Sequence, residues 1–212
     1  MDSRTGKIAI VDYGAGNLRS VANAVASLGC RPAVTSEPGD LCRAAAVILP
    51  GVGAAADTMR SLDGLGLSGA IRQVVADGLP ILAICVGMQV LFDETEEGGR
   101  HRCLGIIPGV VRRLPVGLKI PHMGWNQVRQ AFRHEIFESI PDGANFYFVH
   151  SYRAEPDDPA VVAGTTEYGG LFCSALVRGN LVATQFHPEK SGENGLQMYR
   201  NFLKLAARDG RP

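Results

Sequence analysis

Residues 80 to 89, Pro80-Ile81-Leu82-Ala83-Ile84-Cys85-Val86-Gly87-Met88-Gln89, decide the fold. A short apolar run begins at Pro80 and ends on a cysteine, and Val86 to Phe92 reads as a helix opening directly behind it. A run of that length bounded by a turn residue has the pattern of a buried strand, so Cys85 stands where a strand gives way to a helix. The junction resembles a nucleophile elbow, a strained turn that needs small residues two before and two after the nucleophile. Ala83 and Gly87 meet that need. At a helix N-terminus the sulfur faces the positive end of the helix dipole and unpaired N–H groups, which favour the reactive thiolate. The Val86 N–H would then point towards an oxyanion. A buried, inert cysteine is the competing reading, because free cysteine packs well in cores.

Working outward, the same grammar recurs upstream. Lys7 to Asp12 is an apolar strand followed by the turn-rich Tyr13-Gly14-Ala15-Gly16-Asn17, after which Leu18, Val21, Val25 and Leu28 recur at helical spacing. Ala46 to Leu49 is a second buried strand, Pro50 to Gly53 a loop, and Ala54 to Leu62 and Leu67 to Ala76 are helical segments. Strands alternating with helices predict an α/β fold with a mainly parallel sheet flanked by helices on both faces. From about Gly105 the texture changes to short strands between Pro and Gly turns: Gly109 to Leu114, Asn126 to Ala131, Phe146 to Tyr152, Val161 to Thr166, Phe172 to Val177 and Leu181 to Phe186. Additional antiparallel strands are therefore expected. Glu193 to Ala207 closes the chain as an amphipathic helix with Leu196, Tyr199, Leu203 and Ala206 on one face. With no internal repeat and no linker, residues 1–212 read as a single domain.

Composition narrows the function. The 212 residues are 46% apolar and 20% charged, which is globular and excludes disorder. Twenty-one Lys plus Arg balance 21 Asp plus Glu, so no basic surplus recruits nucleic acid and no polybasic segment invites a membrane. Cys30, Cys42, Cys85, Cys103 and Cys173 are odd in number, scattered and free of a C-x-x-C pair, which argues against a disulfide framework and a zinc site and for a reducing, cytoplasmic setting. No metal or other cofactor is called for. Met1 to Lys7 is polar and Ile8 to Val11 is too short for a signal core or a membrane span, so no export signal is expected.

A nucleophilic thiol needs a base, and five histidines are available. His187 follows an apolar strand and has Glu189 two residues on, close enough to hold the ring in one tautomer and complete a Cys-His-Glu arrangement. At a strand's C-terminal end it would sit on the edge where open α/β sheets gather their sites. His150 also ends an apolar strand but has no carboxylate so near, which makes it the second choice. A purely structural histidine remains the alternative for each. Pro50-Gly51-Val52-Gly53 is either a plain turn or a flexible backbone segment able to supply a second oxyanion donor. Gly14-Ala15-Gly16-Asn17-Leu18-Arg19 begins like a dinucleotide fingerprint but has Arg19 where a third glycine belongs, and no phosphate loop is present.

Taken together, Pro50-Gly-Val-Gly53, Ile84-Cys-Val-Gly-Met-Gln89 and Gln185-Phe-His-Pro-Glu-Lys190 resemble the class I, Cys-His-Glu glutamine amidotransferases. Asp12-Tyr-Gly-Ala-Gly-Asn-Leu18, Pro121-His-Met-Gly-Trp-Asn126 and Tyr147-Phe-Val-His-Ser-Tyr152 narrow the resemblance to the glutaminase subunits of imidazole glycerol phosphate synthase, of histidine biosynthesis. The resemblance implies a flavodoxin-like mixed sheet, Cys85 as nucleophile, His187 as general base and acid, and Glu189 as its orienter. It also implies oxyanion donors among Gly51, Val52, Gly53 and Val86, and glutamine contacts from Gln89, Ser151 and Tyr152. Many relatives have glycine where this chain has Ala83, which implies a slightly tighter elbow without loss of function. A glutaminase of this kind uses about 200 residues and leaves no room for a domain that consumes ammonia, so a partner is expected. The resemblance makes it a TIM-barrel cyclase, paired as a heterodimer and fed ammonia through a tunnel. Asn17, Met123, Trp125, Tyr147 and Lys190 are expected at that interface. Trp125, the chain's one tryptophan, suits an interface centre, with an ordinary core aromatic as the alternative. Another class I glutaminase, such as one serving pyridoxal phosphate synthesis, and a non-catalytic binding subunit are the rival functions.

Overall fold

The computed structural model describes residues 6–208, so most of the polar Met1 to Lys7 segment lies outside the described residues. The strands are β1 (Ile8–Val11), β2 (Pro32–Thr35), β3 (Ala46–Leu49), β4 (Ile81–Ile84), β5 (Phe92–Thr95), β6 (His101–Arg102), β7 (Ile107–Arg113), β8 (His122–Gln130), β9 (Ala144–His150), β10 (Tyr152–Pro156), β11 (Val162–Glu167), β12 (Leu171–Arg178) and β13 (Leu181–Thr184). The helices are α1 (Leu18–Ser27), α2 (Pro38–Cys42), α3 (Ala55–Gly64), α4 (Leu67–Ala76), α5 (Val86–Gln89) and α6 (Gly192–Arg208).

β1, β3, β4 and β13 are apolar and buried at nearly every position because they are covered on both faces. Thr184, at the end of β13, is the polar exception, and its hydroxyl donates to the Phe186 carbonyl. The covering helices turn one stripe inward: Val21 and Val25 from α1, Met59 and Leu62 from α3, Ile71 and Val74 from α4, and Met198, Tyr199 and Phe202 from α6. Burial of each large side chain in that layer contributes about 1.5–3 kcal/mol. The strand order is β2-β1-β3-β4-β13-β12-β10-β7-β5-β6, parallel from β2 to β13, with β11, β8 and β9 branching from β12. The expected mixed sheet forms, parallel through its helix-covered β2-to-β13 part, with the antiparallel strands added beyond it.

Several boundaries differ from the sequence reading. The helix expected over Val86 to Phe92 stops at Gln89, and Phe92 to Thr95 becomes β5. Its continuation is blocked because Leu104 N–H donates to the Val90 carbonyl and Ile106 N–H to the Leu91 carbonyl. The strand expected over Phe146 to Tyr152 is two strands. β9 pairs with β8 and β10 with β7, so the chain changes partners at Ser151, whose carbonyl accepts from Leu114 N–H. β2, β6 and the one-turn α2 carry no periodic signal of their own and were not expected. β8 begins four residues earlier than expected, at His122.

Candidate active site

β3, β4 and β13 are adjacent and parallel, with Leu49 opposite Ala83 and Ile84 opposite Thr184. Their C-terminal ends therefore bring the Pro50–Gly53 loop, Cys85 and the His187 turn together on one sheet edge, although 100 residues separate Cys85 from Gln185. Cys85 has φ 55° and ψ −111°; only one other non-glycine among the described residues, Ser139, has positive φ. Such a backbone persists only when its surroundings fix it. Here Cys85 N–H donates to the Thr184 carbonyl at 2.7 Å and the Cys85 carbonyl accepts from Gln89 N–H at 3.1 Å.

The loop before α3 lies directly on the elbow. A Cβ on Gly51 would strike Gly87 N, and a Cβ on Gly87 would strike the Leu49 carbonyl oxygen, so both glycines are required by close backbone approach. Gly53 differs: its φ is +86° and nothing stands within 4 Å of the Cβ position. Conformational freedom in this loop therefore belongs to the Val52–Gly53 side, while Gly51 is held.

His187 begins a short 3₁₀ turn over Pro188–Lys190, and that turn brings Glu189 back beneath the ring. Nδ1–H donates to Glu189 Oε1 at 2.8 Å, which leaves Nε2, buried and without another hydrogen-bond partner, for the thiol side. The ring is 2% exposed, and burial pushes its pKa down. The neighbouring Cys85 thiol and the Glu189 carboxylate more than reverse this and carry it to about 9. The turn is clamped to β9: His187 N–H donates to the Tyr147 carbonyl, and Ser191 Oγ donates to the His187 carbonyl while accepting from Tyr147 N–H.

These groups open into a cavity of about 310 Å³, whose lining includes Val52, Gly53, Val86, Gln89, Ser151 and Tyr152. Gly51 braces it from behind. A larger hollow of about 680 Å³, bordered by Arg133, His134, Glu138 and Leu205, holds no thiol and lies away from this sheet edge.

His150 also lines the cavity, yet its hydrogen bonds are committed elsewhere. Nδ1 donates to the Tyr152 carbonyl at 2.8 Å, so Nε2 is the acceptor of a 2.9 Å bond from His122 Nδ1–H. His122 Nε2 in turn accepts from the Asn126 side-chain amide at 3.2 Å. Burial, partly offset by the Tyr152 carbonyl and reinforced by the neighbouring His122 and His187 rings, lowers the His150 pKa to about 3.

Sequence reading missed three residues of this neighbourhood. Glu97 lines the cavity and accepts from Ala55 N–H at 2.7 Å through one oxygen, capping α3. It stands just beyond β5, past the helix expected over Val86 to Phe92, in a stretch to which no element was assigned, and only its place before the Gly98-Gly99 turn points to a loop. His122 is brought opposite His150 by the β8–β9 register, which no local pattern announces. Gln185 was quoted as part of a motif but given no role; it is fully buried beside Cys85.

Of the residues expected at an interface, Trp125, Tyr147 and Lys190 lie together. Met123 and Trp125 are 61% and 59% exposed on β8, so the core reading of Trp125 is excluded. Trp125 meets Tyr147 edge to face at 6.0 Å, and Lys190 Nζ lies 5.8 Å from the Tyr147 ring centre. Asn17 is half-buried at the start of α1. Among the described residues no helix is long and apolar enough to cross a membrane.

A strained cysteine at a strand's end, a histidine held by a carboxylate and a glycine-braced cavity make a site for nucleophilic catalysis by a thiol. The chain belongs to the glutamine amidotransferase class-I family, whose model matches residues 9–206. Among solved structures it superposes on a glutamine amidotransferase with a TM-score of 0.74 at 20% identity, covering 94% of this chain and 98% of that one. PurLQS from Thermotoga maritima gives 0.75 at 18%, with the same coverage. Its curated relatives are more specific. The imidazole glycerol phosphate synthase subunit HisH of Dehalococcoides mccartyi is 60% identical over 202 residues, 95% of this chain and 98% of the relative. The same subunit of Moorella thermoacetica is 52% identical over 203 residues, 96% of this chain and 97% of the relative.

Proposed function

We propose that this chain hydrolyses the side-chain amide of glutamine and hands the ammonia to a cyclase partner, as the glutaminase subunit of imidazole glycerol phosphate synthase in histidine biosynthesis. The observation that carries the chemistry is the alignment of Cys85, His187 and Glu189 at the ends of two paired parallel strands, β4 and β13.

In this reading the Cys85 sulfur attacks the amide carbon, and the oxyanion is received by N–H groups of Val86 and of Val52 or Gly53. One such donor lowers the barrier by about 3 kcal/mol. His187, charged at neutral pH because its pKa is about 9, gives its proton to the departing ammonia as the C–N bond breaks. The neutral ring then takes a proton from water, which attacks the thioester and releases glutamate with the thiolate restored. Gln89, Ser151 and Tyr152 face the glutamine from one wall. Glu97 is the cavity's one carboxylate outside the triad, and we assign it to the substrate's ammonium group.

The partner is inferred to be a TIM-barrel cyclase, docked as a heterodimer over Asn17, Met123, Trp125, Tyr147 and Lys190, receiving ammonia through a tunnel in the cytoplasm. Residues 1–212 are read as one amidotransferase domain. The test compares two nitrogen sources in the complex: Cys85→Ala should abolish glutamine-dependent turnover and leave ammonium-dependent turnover intact. Loss of both together would overturn the assignment of the amide chemistry to this chain.

A further inference from the structure

Behind the nucleophile lies a run of buried amides whose orientation can be deduced from one fixed group. The Tyr152 carbonyl can only accept. Gln89 stands 3.1 Å from it, so Gln89 must present its NH₂ end there and not its oxygen. The same nitrogen lies 3.0 Å from the end of Gln185, which must therefore be the Gln185 oxygen. The Gln185 NH₂ is thereby turned the other way, and it lies 3.7 Å from Cys85 Sγ. Gln89 and Gln185 are 3% and 0% exposed, so no solvent competes for these groups.

The opposing contact makes this donor matter. The Cys85 thiol also faces the Val149 carbonyl at 3.8 Å, an acceptor that suits the protonated sulfur and disfavours the anion, and the titratable groups that act on the sulfur are the His187 ring and the Tyr13 hydroxyl. An N–H on the other side does the reverse, since a hydrogen bond to a charged acceptor is roughly twice as strong as one to a neutral acceptor. Resting on the glutaminase reading above, we propose that Gln185 is a further catalytic residue: its side-chain N–H holds the Cys85 sulfur as thiolate, and Gln89 and the Tyr152 carbonyl fix the direction of that N–H. No bond is made or broken at Gln185 itself. Its hydrogen bond to sulfur is strongest before attack, weakens as the sulfur's negative charge passes to the carbonyl oxygen, and re-forms when the thioester is hydrolysed.

The experiment follows alkylation of Cys85 by iodoacetamide across pH, using the full chain together with its cyclase subunit. Gln185→Met keeps the length and removes the donor. Gln185→Glu keeps the shape and places negative charge beside the sulfur. Gln185→Met should react about tenfold more slowly than the parent at pH 7, the change that one unit in a proton equilibrium produces. The deficit should close as pH rises, and Gln185→Glu should be slower still at pH 7. Parent-like alkylation in Gln185→Met at every pH would overturn the inference. So would a deficit that persists unchanged at high pH, the mark of blocked access. If Gln185→Met does not fold, Gln185→Glu is read by the same two criteria. A parent whose Cys85 resists labelling overturns the glutaminase reading as well, whereas parent-like labelling in the variants removes only the role given to Gln185.

Discussion

His187 and His150 make a controlled comparison within one molecule. Both stand at the end of an apolar strand, both are at least 94% buried on the scale where they are 2% and 6% exposed, and both border the same cavity. Yet the pKa of one is carried up to about 9 and that of the other down to about 3. Burial pushes each ring towards neutrality, so burial does not choose the base. The partners do: a carboxylate and a thiol face His187, while a backbone carbonyl and a second neutral imidazole hold His150.

The strongest way to break the comparison is to remove each ring. His187→Ala should lower glutamine hydrolysis about a thousandfold, within the range of a lost acid–base group. His150→Asn retains an N–H at the Nδ1 position for the Tyr152 carbonyl and should cost less than about tenfold. Steady-state kinetics decide it, and equal losses would mean that the two rings share the proton work. Next in size is Glu189→Gln. Without the anion the His187 pKa should fall, so the alkaline limb of the rate profile should move from the neighbourhood of pH 9 towards 6.5, with a loss of about a hundredfold in kcat. An unmoved limb would remove Glu189 from control of the ring.

How much of this was legible beforehand divides along the same line. Cys85, His187 and Glu189 could be picked out because each follows an apolar run of the parallel sheet, and Glu189 is only two residues from the ring it holds. The cavity's far wall could not. Glu97 comes from the β5–β6 hairpin, whose short strands carry no periodic signal, and His122 meets His150 only through an antiparallel register spanning 28 residues. Strand pairing at that distance depends on which edge is left open by the rest of the sheet, and sequence periodicity does not encode that.

Stability against pH sharpens the contrast. His187 is raised above its unfolded value of 6.5, so its contribution is complete below about pH 6.5 and is lost as pH climbs through about 9. His150 is depressed, so its contribution is complete above about pH 6.5 and is lost as pH drops towards 3. Thermal unfolding should show the alkaline loss shrinking in Glu189→Gln and the acid loss shrinking in His150→Asn. The converse assignment, or no change in either limb, would contradict the two shifts. The smallest effect belongs to His122→Phe, which can keep a ring stacked near Tyr168 but leaves His150 Nε2 without its donor. A loss of about 1–3 kcal/mol in denaturant unfolding is expected, and none would mean that His150 had turned to another partner.

The interlocked glycines have a genetic consequence. The nearest atom that a methyl group at position 51 or 87 would strike is main chain, Gly87 N in one case and the Leu49 carbonyl oxygen in the other. No change of neighbouring side chain can make room. Damage at either place should therefore resist second-site suppression, and a lineage holding this elbow is committed to both glycines at once, however freely the rest of its surface drifts.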